Sequence, residues 1–418
     1  MSGWRAATSW FPGHMAQASR DMSQRLAKVD LVLEVRDARA PFSSASSQLH
    51  RLLQARRAPR LLVLNKADLL GEAQRRAMRR RLEEEEPGVR LFFAAAAERR
   101  GVAPILAAAV EQVRRESPRL FGRRQGARGG PAGATASMFA QELMVQAAAE
   151  AMPQGAEALP LMMMVAGAPN TGKSTLINAM RQEGARDAPG VVRRMAPAKM
   201  GKLPGVTRQL SSFQVSWEPP VWMLDTPGVL PPNIDNGWEG AMRLGVLDMI
   251  RTDAEHREAL CSYLLHHLAT HHIEVLSRWP RAHRLALRSA QGVLMMDGEL
   301  RDIEQQVRSR LLGLEPSEAE VKLQVAETIG VWLLESVAQD MQQFCLGVRN
   351  GAGVREKKLN LHSTAMLLLK MMREGRLGEV CLDDHPFLVP PISKEERIRR
   401  KLQKKVERRR KLGKHLLI

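Results

Sequence analysis

The feature that most constrains the fold of this chain is a segment with the spacing G-x-x-x-x-G-K-S at residues 167–174. An apolar run of strand length, residues 161–166, precedes it, and residues 175–180 have the composition of the first turns of a helix. In this strand–loop–helix setting the spacing predicts a phosphate-binding loop, because glycines let successive backbone N–H groups converge on phosphate oxygens. The competing interpretation, a glycine-rich turn with a surface lysine, requires neither the strand nor the helix.

Each polar position of this loop has a predicted role. Lys173 would bridge the β- and γ-phosphates of a nucleotide, and the Ser174 hydroxyl would ligate Mg²⁺. The positive end of the following helix adds to the same field. Further nucleotide contacts are predicted from the loop and the helix start, at Asn170, Thr171, Gly172 and Thr175.

Two downstream segments complete a predicted magnesium and γ-phosphate site. The sequence D-T-P-G follows an apolar strand, so that Asp225 can hold Mg²⁺ through water while the Gly228 N–H reaches the γ-phosphate. Between the two motifs lies P-G-V-T, with Pro204 and Gly205 in a loop without apolar periodicity. Thr207 is the only threonine between the phosphate-loop helix and Asp225, so it is the candidate second hydroxyl ligand of Mg²⁺ and a candidate catalytic residue. A loop ordered by Mg²⁺ and the γ-phosphate is a common switch device.

A base-recognition motif, N-K-A-D at residues 65–68, lies upstream of the phosphate loop. Asp68 would accept hydrogen bonds from the N1–H and N2 amino groups of guanine, and a buried Asp would be left unpaired by adenine. Asn65 would brace the base edge and the phosphate loop, and the Lys66 stem would cover the ring. After the next strand, Ala95 and Ala96 stand where a base-supporting loop is expected, with only backbone N–H groups to offer.

Base recognition therefore precedes phosphate binding, which is the motif order of a circularly permuted GTPase. Strand-like runs alternate with helical patterns at residues 46–56 and 72–86, which predicts a parallel α/β sheet covered by helices. We expect this GTPase domain at residues 1–236, with a flexible insert at 122–155 that is rich in Gly, Ala and Arg around 122–137. We expect an all-α domain to follow at 237–385, as a candidate for RNA binding, and a basic tail at 386–418.

The net charge of +18 indicates a polyanionic partner, with nucleic acid favoured over an anionic membrane surface. Residues 393–418 carry twelve Lys and Arg against three Glu; this segment is either a basic helix on RNA phosphates or a solvated tail. No apolar run reaches the 18 residues expected of a spanning helix. Three dispersed cysteines favour a reducing compartment and disfavour a disulfide framework or a cysteine zinc site.

Two N-terminal sequences carry a family resemblance: W-F-P-G-H-M at residues 10–15 and D-A-R-A-P at 37–41. They resemble the signatures of the ribosome biogenesis GTPase A (YlqF-like) family, most closely its mitochondrial members. The resemblance implies GTP as the only small-molecule substrate, and slow hydrolysis that the ribosomal particle stimulates. It implies large-subunit rRNA, ribosomal proteins and other assembly factors as partners. It also implies a mitochondrial location, in the matrix or at the inner membrane, with a bacterial cytoplasm as the alternative.

The same resemblance bears on hydrolysis. Val229 and Leu230 stand where many GTPases carry the glutamine that positions water. The family implies His14 in that role; the alternative is that His14 only hydrogen-bonds the backbone of a Pro-Gly turn. Asn170 matches an asparagine associated with K⁺ binding, and the alternative is a loop-bracing side chain. Two other functions stay open: a nucleotide-dependent RNA-binding scaffold that does not hydrolyse GTP, and a partner GTPase for RNA modification.

Four histidines, at positions 266, 267, 271 and 272, form pairs about one helical turn apart. Such spacing is compatible with a metal site, but no acidic residue stands where an H-E-x-x-H site needs one. We therefore expect these side chains to form a polar helix face.

Overall fold

The computed structural model of the chain describes residues 26, 29–56, 58–116, 161–184, 211–217, 220–225, 237–250, 252, 256–290, 318–349 and 355–383. The chain divides into two units between Cys381 and Leu382. Of the second unit, only Leu382 and Asp383 are described.

The centre of the first unit is a sheet in the order β3-β2-β1-β4-β6-β5. Neighbouring strands are parallel, except that β5 runs antiparallel to β6. The strands are β1 Leu31–Asp37, β2 Arg60–Asn65, β3 Arg90–Phe93, β4 Leu161–Ala166, β5 Ser211–Trp217 and β6 Pro220–Asp225. Strands β1, β2 and β4 are buried along nearly their whole length, as parallel strands covered on both faces are, and β4 is a continuous apolar run.

Four helices belong to the sheet: α1 Ser47–Arg56, α2 Glu72–Glu85, α3 Ala103–Glu116 and α4 Lys173–Gly184. Helices α3 and α4 contribute to one apolar cluster and α1 to another, and α2 packs with Cys381 in a third. The predicted α/β sheet and its helices at 46–56 and 72–86 are confirmed to within a residue at each end.

This topology gathers the predicted motifs at one edge. Strands β1, β2, β4 and β6 are mutually parallel, so their carboxyl ends meet there. The register pairs Asp37 with Asn65 and Val165 with Asp225. The strand before the base motif and the strand before the phosphate loop both flank β1. The motifs are permuted along the chain, but the strands that carry them are neighbours in the sheet.

The rest of the first unit is mainly helical. It contains α5 Gly237–Val246, α6 Arg257–His271, α7 Pro280–Ala290, α8 Glu318–Asp340 and α9 Leu361–Arg373. Between α8 and α9 stands an antiparallel hairpin of β7 Phe344–Arg349 and β8 Arg355–Leu359. The prediction of an all-α region therefore missed one hairpin, because a short apolar run fits the helical and the strand period equally well.

The separation into domains at 236 and 385 stays a prediction. Cys261 and Cys381 are buried free thiols. Within the described ranges, no helix combines the length and apolar character needed to cross a bilayer.

Candidate nucleotide-binding site

The phosphate loop lies against β1 and the end of β2 at a distance that only glycine permits. Gly167 has φ +150°, and a Cβ there would overlap the carbonyl oxygen of Val35. Gly172 has φ +90°, and its Cβ would overlap the Asn65 amide. The two glycines of the motif thus serve the close approach of the loop to its neighbours as well as its curvature.

Two side chains close the loop on itself. The Lys173 ammonium donates to the Ala168 carbonyl at 2.7 Å, and the Thr171 hydroxyl donates to the same oxygen at 3.0 Å. Thr171 is fully buried and Lys173 is 7% exposed. The ammonium is therefore held within the loop, at the start of α4, where the helix dipole and a cation reinforce each other toward an anion.

Asn65 joins three predicted segments. Its Nδ2 donates to the Thr171 carbonyl at 2.9 Å, and its Oδ1 accepts from the backbone N–H of Ala96 at 3.1 Å. The side chain is 2% exposed. The base motif, the phosphate loop and the segment at Ala95–Ala96 are thus in direct contact, as the bracing role predicted for Asn65 requires.

Lys66 makes the second connection between base motif and phosphate loop. Its backbone is left-handed, with φ +61°, and its Nζ donates to the Asn170 carbonyl at 2.6 Å. The same ammonium lies 2.9 Å from Oδ2 of Asp37. Asp68 follows in a short 3₁₀ turn, Ala67–Leu69, with its side chain exposed. The Asp68 carboxylate is therefore open to a base, and its predicted contact with guanine stays a prediction.

Asn170 adopts φ +58° and its side-chain amide donates to the carbonyl of Asp248, just after α5. This bond links the phosphate loop directly to the helical region. It agrees with the bracing interpretation of Asn170 and leaves the K⁺ interpretation a prediction.

A buried ionic pair beside Lys66 is formed by Asp37 and Arg39, two residues of the D-A-R-A-P signature. Arg39 donates to both carboxylate oxygens of Asp37, at 3.0 and 2.9 Å, and the two residues are 2% and 0% exposed. Burial by itself raises the pKa of Asp37, but the attraction of Arg39 and Lys66 outweighs it and holds that pKa well below its usual range. The signal that could have found the pair is an Asp at the end of β1 followed two residues later by an Arg of opposite charge.

Several predicted site residues lie outside the described part of the chain: His14, Pro204, Gly205, Thr207 and Gly228. Val229 and Leu230, the residues that follow the D-x-x-G glycine, lie outside it too. Asp225 ends β6 beside Val165 of the phosphate-loop strand, and its magnesium role stays a prediction. Hydroxyl and carboxylate oxygens are ligands suited to Mg²⁺, so Ser174 and Asp225 fit this ion in donor type.

The prediction that the four histidines form a polar helix face is wrong for two of them. His267 and His272 are each 6% exposed, and Nε2 of each lies within 3.2 Å of the Cys381 carbonyl. Burial lowers the pKa of His266 to about 4 and that of His267 well below its ordinary value. His267 and His272 therefore pack into the core, where both imidazoles lie against one carbonyl oxygen.

Among the described residues, one other group has the spacing of a metal site: Glu34, His50 and Glu86. Arg36 lies 2.7 Å from Glu34 and 2.6 Å from Glu86, while Arg60 lies 2.6 Å from Glu86. Two guanidinium groups thus occupy the space between these carboxylates, and the arrangement is an ionic cluster rather than a cation site.

The sheet order and the joined loops define the class of protein: a P-loop GTPase whose motifs are circularly permuted. Comparison with known proteins agrees. A family model described as a 50S ribosome-binding GTPase matches residues 162–290. The chain is 32% identical over 257 residues to Short integuments 2, mitochondrial, of Arabidopsis thaliana, covering 62% of this chain and 55% of that protein.

Further relatives carry the ribosomal names. Identity is 31% over 263 residues to mitochondrial ribosome-associated GTPase 1 of Mus musculus, covering 63% of this chain and 67% of that protein. It is 26% over 269 residues to ribosome biogenesis GTPase A of Bacillus pumilus, covering 64% and 77%. The solved structure of GNP-bound YlqF from T. maritima overlaps 88% of this chain and 97% of that one at 18% identity, with a TM-score of 0.39, too loosely to bear on the site.

The chain belongs to the family of circularly permuted GTPases that includes mitochondrial ribosome-associated GTPase 1 and ribosome biogenesis GTPase A. As a member of that family it is a GTP hydrolase. It spans little more than half the length of the Arabidopsis relative.

Proposed function

We propose that this GTPase is an assembly factor for the large ribosomal subunit of mitochondria, binding rRNA in its GTP state and leaving after hydrolysis. The observation that carries the nucleotide part is the pair of contacts Asn65–Thr171 and Lys66–Asn170, at 2.9 and 2.6 Å. They bring the predicted guanine-binding motif into contact with the phosphate loop, which binding of one nucleotide by both would require, although the two are about a hundred residues apart along the chain.

In this proposal the base lies between the Lys66 stem and Asp68, supported by the backbone at Ala95 and Ala96. The phosphates lie over the loop from Asn170 to Ser174, with contacts continuing to Thr175. Magnesium, when bound, supplies charge neutralisation between the β- and γ-phosphates. Ser174, Thr207 and Asp225 would hold it, and the backbone at Pro204, Gly205 and Gly228 would contact the nucleotide.

Hydrolysis needs a group that orients water, and the residues after Gly228 are Val229 and Leu230. We assign this role to His14, because histidine is the residue type whose ordinary pKa lies closest to neutral pH. K⁺ at Asn170 would neutralise developing charge where other GTPases use an arginine. Nδ2 of Asn170 donates to Asp248, so the amide oxygen is the atom that would take the ion.

The ribosomal part of the proposal draws on the names of the relatives and on charge. Net charge +18 suits an RNA partner. A cleft of about 720 Å³ opens beside Lys66 and Asn170 and extends along α9. Its cationic lining residues are Arg39, Lys66, Arg257, Lys370 and Arg373, against the carboxylates Asp248 and Glu374. Mitochondrial names among the relatives support a mitochondrial location. Within the organelle, the proposal places the protein in the matrix or at the inner membrane. Its neighbours there would be ribosomal proteins and other assembly factors.

The test is co-sedimentation of the full chain with large-subunit precursors in a non-hydrolysable GTP analogue and in GDP. We expect association in the analogue and release in GDP. The Lys173→Met variant serves as control, since without the loop ammonium both nucleotides should give the GDP behaviour. Equal association of the unmodified protein in both states would rule out the nucleotide-dependent switch.

The missing glutamine favours one competing function, a scaffold that binds GTP without turning it over. Multiple-turnover assays with and without precursor particles and K⁺ separate the two. Stimulated phosphate release supports the GTPase switch, and a single bound nucleotide per chain without release supports the scaffold. A modified base lost on depletion, with normal subunit assembly, would instead indicate a partner in RNA modification.

A further inference from the structure

The Asp37 carboxylate is a fully buried anion between two cations: Arg39, two residues further along the chain, and Lys66, which follows β2. On one side its Oδ2 lies 2.9 Å from the Lys66 ammonium. On the other, Arg39 donates to both of its oxygens. The carboxylate also accepts from the Arg39 backbone N–H at 3.0 Å, so its hydrogen bonds are largely satisfied by these two residues.

The Lys66 ammonium has two acceptors, the Asp37 carboxylate and the Asn170 carbonyl. Lysine is a flexible point charge on a four-carbon stem, and a single acceptor would leave that stem free to rotate. Two acceptors, with a left-handed backbone at Lys66, fix the stem along the edge of the phosphate loop. This is the stem that the proposed function places over the guanine ring.

Arg39 extends the contact to the helical region. Its Nη1 donates to the Met372 carbonyl at 2.7 Å and lies 3.4 Å from the Arg373 carbonyl, both in the last turn of α9. The Arg39 carbonyl accepts from the Cys381 thiol at 3.3 Å. Asp37 is therefore held in place by a residue that is itself anchored on the end of α9.

We propose that Asp37 is a positioning residue for guanine nucleotide binding: it fixes the Lys66 ammonium against the phosphate loop, and Arg39 ties this arrangement to α9. The inference rests on the proposed nucleotide site. It extends that site by a residue that would not touch the nucleotide, and it makes the affinity for guanine nucleotides depend on the packing of the helical region.

The test is a double-mutant cycle with a fluorescent GDP analogue, using the full chain and the variants Asp37→Asn, Lys66→Met and both together. We expect Asp37→Asn to raise the dissociation constant about tenfold, as loss of a charge-assisted hydrogen bond does. In the Lys66→Met background the same change should have no further effect on affinity, because the group through which Asp37 acts is gone.

Glu34→Gln is the matched control. Glu34 lies on the same strand, is also buried, and is paired with Arg36, but it belongs to the ionic cluster away from the loop. This variant should lose stability and keep its GDP affinity. If Asp37→Asn does not fold, the cycle is run with Asp37→Glu, which keeps the charge for Arg39 and displaces the carboxylate from Lys66.

The outcomes are distinct. An Asp37 effect that persists undiminished in Lys66→Met, or an affinity unchanged by either Asp37 variant, overturns the positioning role while leaving the proposed function intact. Failure of the unmodified protein to bind guanine nucleotide overturns the proposed function and this inference with it.

Discussion

Gly167 and Gly88 both have positive φ, at +150° and +87°, but their surroundings differ. A side chain at Gly167 would meet the Val35 carbonyl, whereas nothing lies within 4 Å of a Cβ built at Gly88. The first glycine is required by a close approach between loop and sheet, and the second only by its backbone angle.

We expect Gly167→Ala to lower the free energy of unfolding by about 3 kcal/mol or more, because strain and overlap with β1 add. It should also abolish GDP binding, since the loop must move to relieve the overlap. Gly88→Ala should cost about 1 kcal/mol, from φ alone, and leave GDP binding unchanged. Urea denaturation and nucleotide titration measure both effects; equal losses in the two variants would contradict this explanation.

Asp68 offers a test of base specificity at the same scale. The side-chain amide of an Asn at this position would face the N2 amino group of guanine donor to donor. Xanthine has a carbonyl oxygen at that ring position, and this oxygen can accept from the amide. We expect Asp68→Asn to weaken GDP binding at least about a hundredfold and to favour XDP over GDP. Because Asp68 is exposed, thermal stability without nucleotide should not change. A variant that keeps its preference for GDP would show that Asp68 does not contact the base.

At the scale of elements, β1 combines a strand core with a buried ionic cluster. Glu34 and Arg36 are 1% and 0% exposed, and the cluster joins β1 to β2 and to Glu86 at the end of α2. Burial raises the pKa of Glu34, but Arg36, His50 and Arg60 together outweigh it, and the net pKa lies well below the usual value. Removing one member leaves uncompensated buried charge, so the cluster acts as a unit.

Glu34→Gln should therefore lower the free energy of unfolding at pH 7 by about 3–5 kcal/mol. Since the folded-state pKa is depressed, the wild-type advantage is present above the ordinary Glu pKa and shrinks as pH falls below about 4.5. Denaturation at pH 7, 5, 4 and 3 measures the difference. Glu111→Gln, which breaks an exposed pair with Arg90, is the control and should change little. A difference that does not depend on pH would contradict the electrostatic origin.

Helix α9 is held at both ends by polar side chains. At its start the Asn360 side chain accepts from the Ser363 N–H at 3.0 Å, which is an N-cap. At its end, Arg39 reaches from the loop after β1 to the Met372 carbonyl. Arg373 returns the connection by donating to the carbonyls of Val246 and Gly245 at 2.9 and 3.2 Å. The Met372 carbonyl lies in the last turn of α9, where backbone carbonyls have no partner within the helix. Its hydrogen bond with Arg39 therefore connects the sheet to the helical region.

At the scale of the whole molecule, charge is the dominant property. Residues 393–418 carry a net +9 of the total +18, from twelve Lys and Arg and three Glu. If the tail contacts RNA phosphates, its removal lowers affinity mainly through lost counterion release.

We expect deletion of residues 393–418 to weaken binding to large-subunit precursors and to flatten the dependence of log K on log salt between about 50 and 200 mM. A variant with the same tail residues in shuffled order should bind like the full chain if charge alone acts. Binding assays in a KCl series give both slopes. An unchanged slope after deletion would show that the tail does not contact phosphate.

The sequence by itself determined the chemistry and the fold class. Phosphate loop, guanine motif and D-x-x-G are local patterns that need particular residue types at fixed spacings, and the strands that carry them are apolar runs legible without neighbours. The permuted order was likewise visible along the chain, whereas the β7–β8 hairpin was not, since short strands depend on pairing rather than on periodicity.

Only the tertiary structure decided which polar side chains meet. Asp37 holds Lys66, Arg39 ends on α9, and His267 and His272 are buried against the Cys381 carbonyl. These contacts join segments up to 333 residues apart. A local pattern records the type of a side chain but not its distant partner. The partner, through burial and charge, fixes whether that side chain is a ligand, a brace or a core residue.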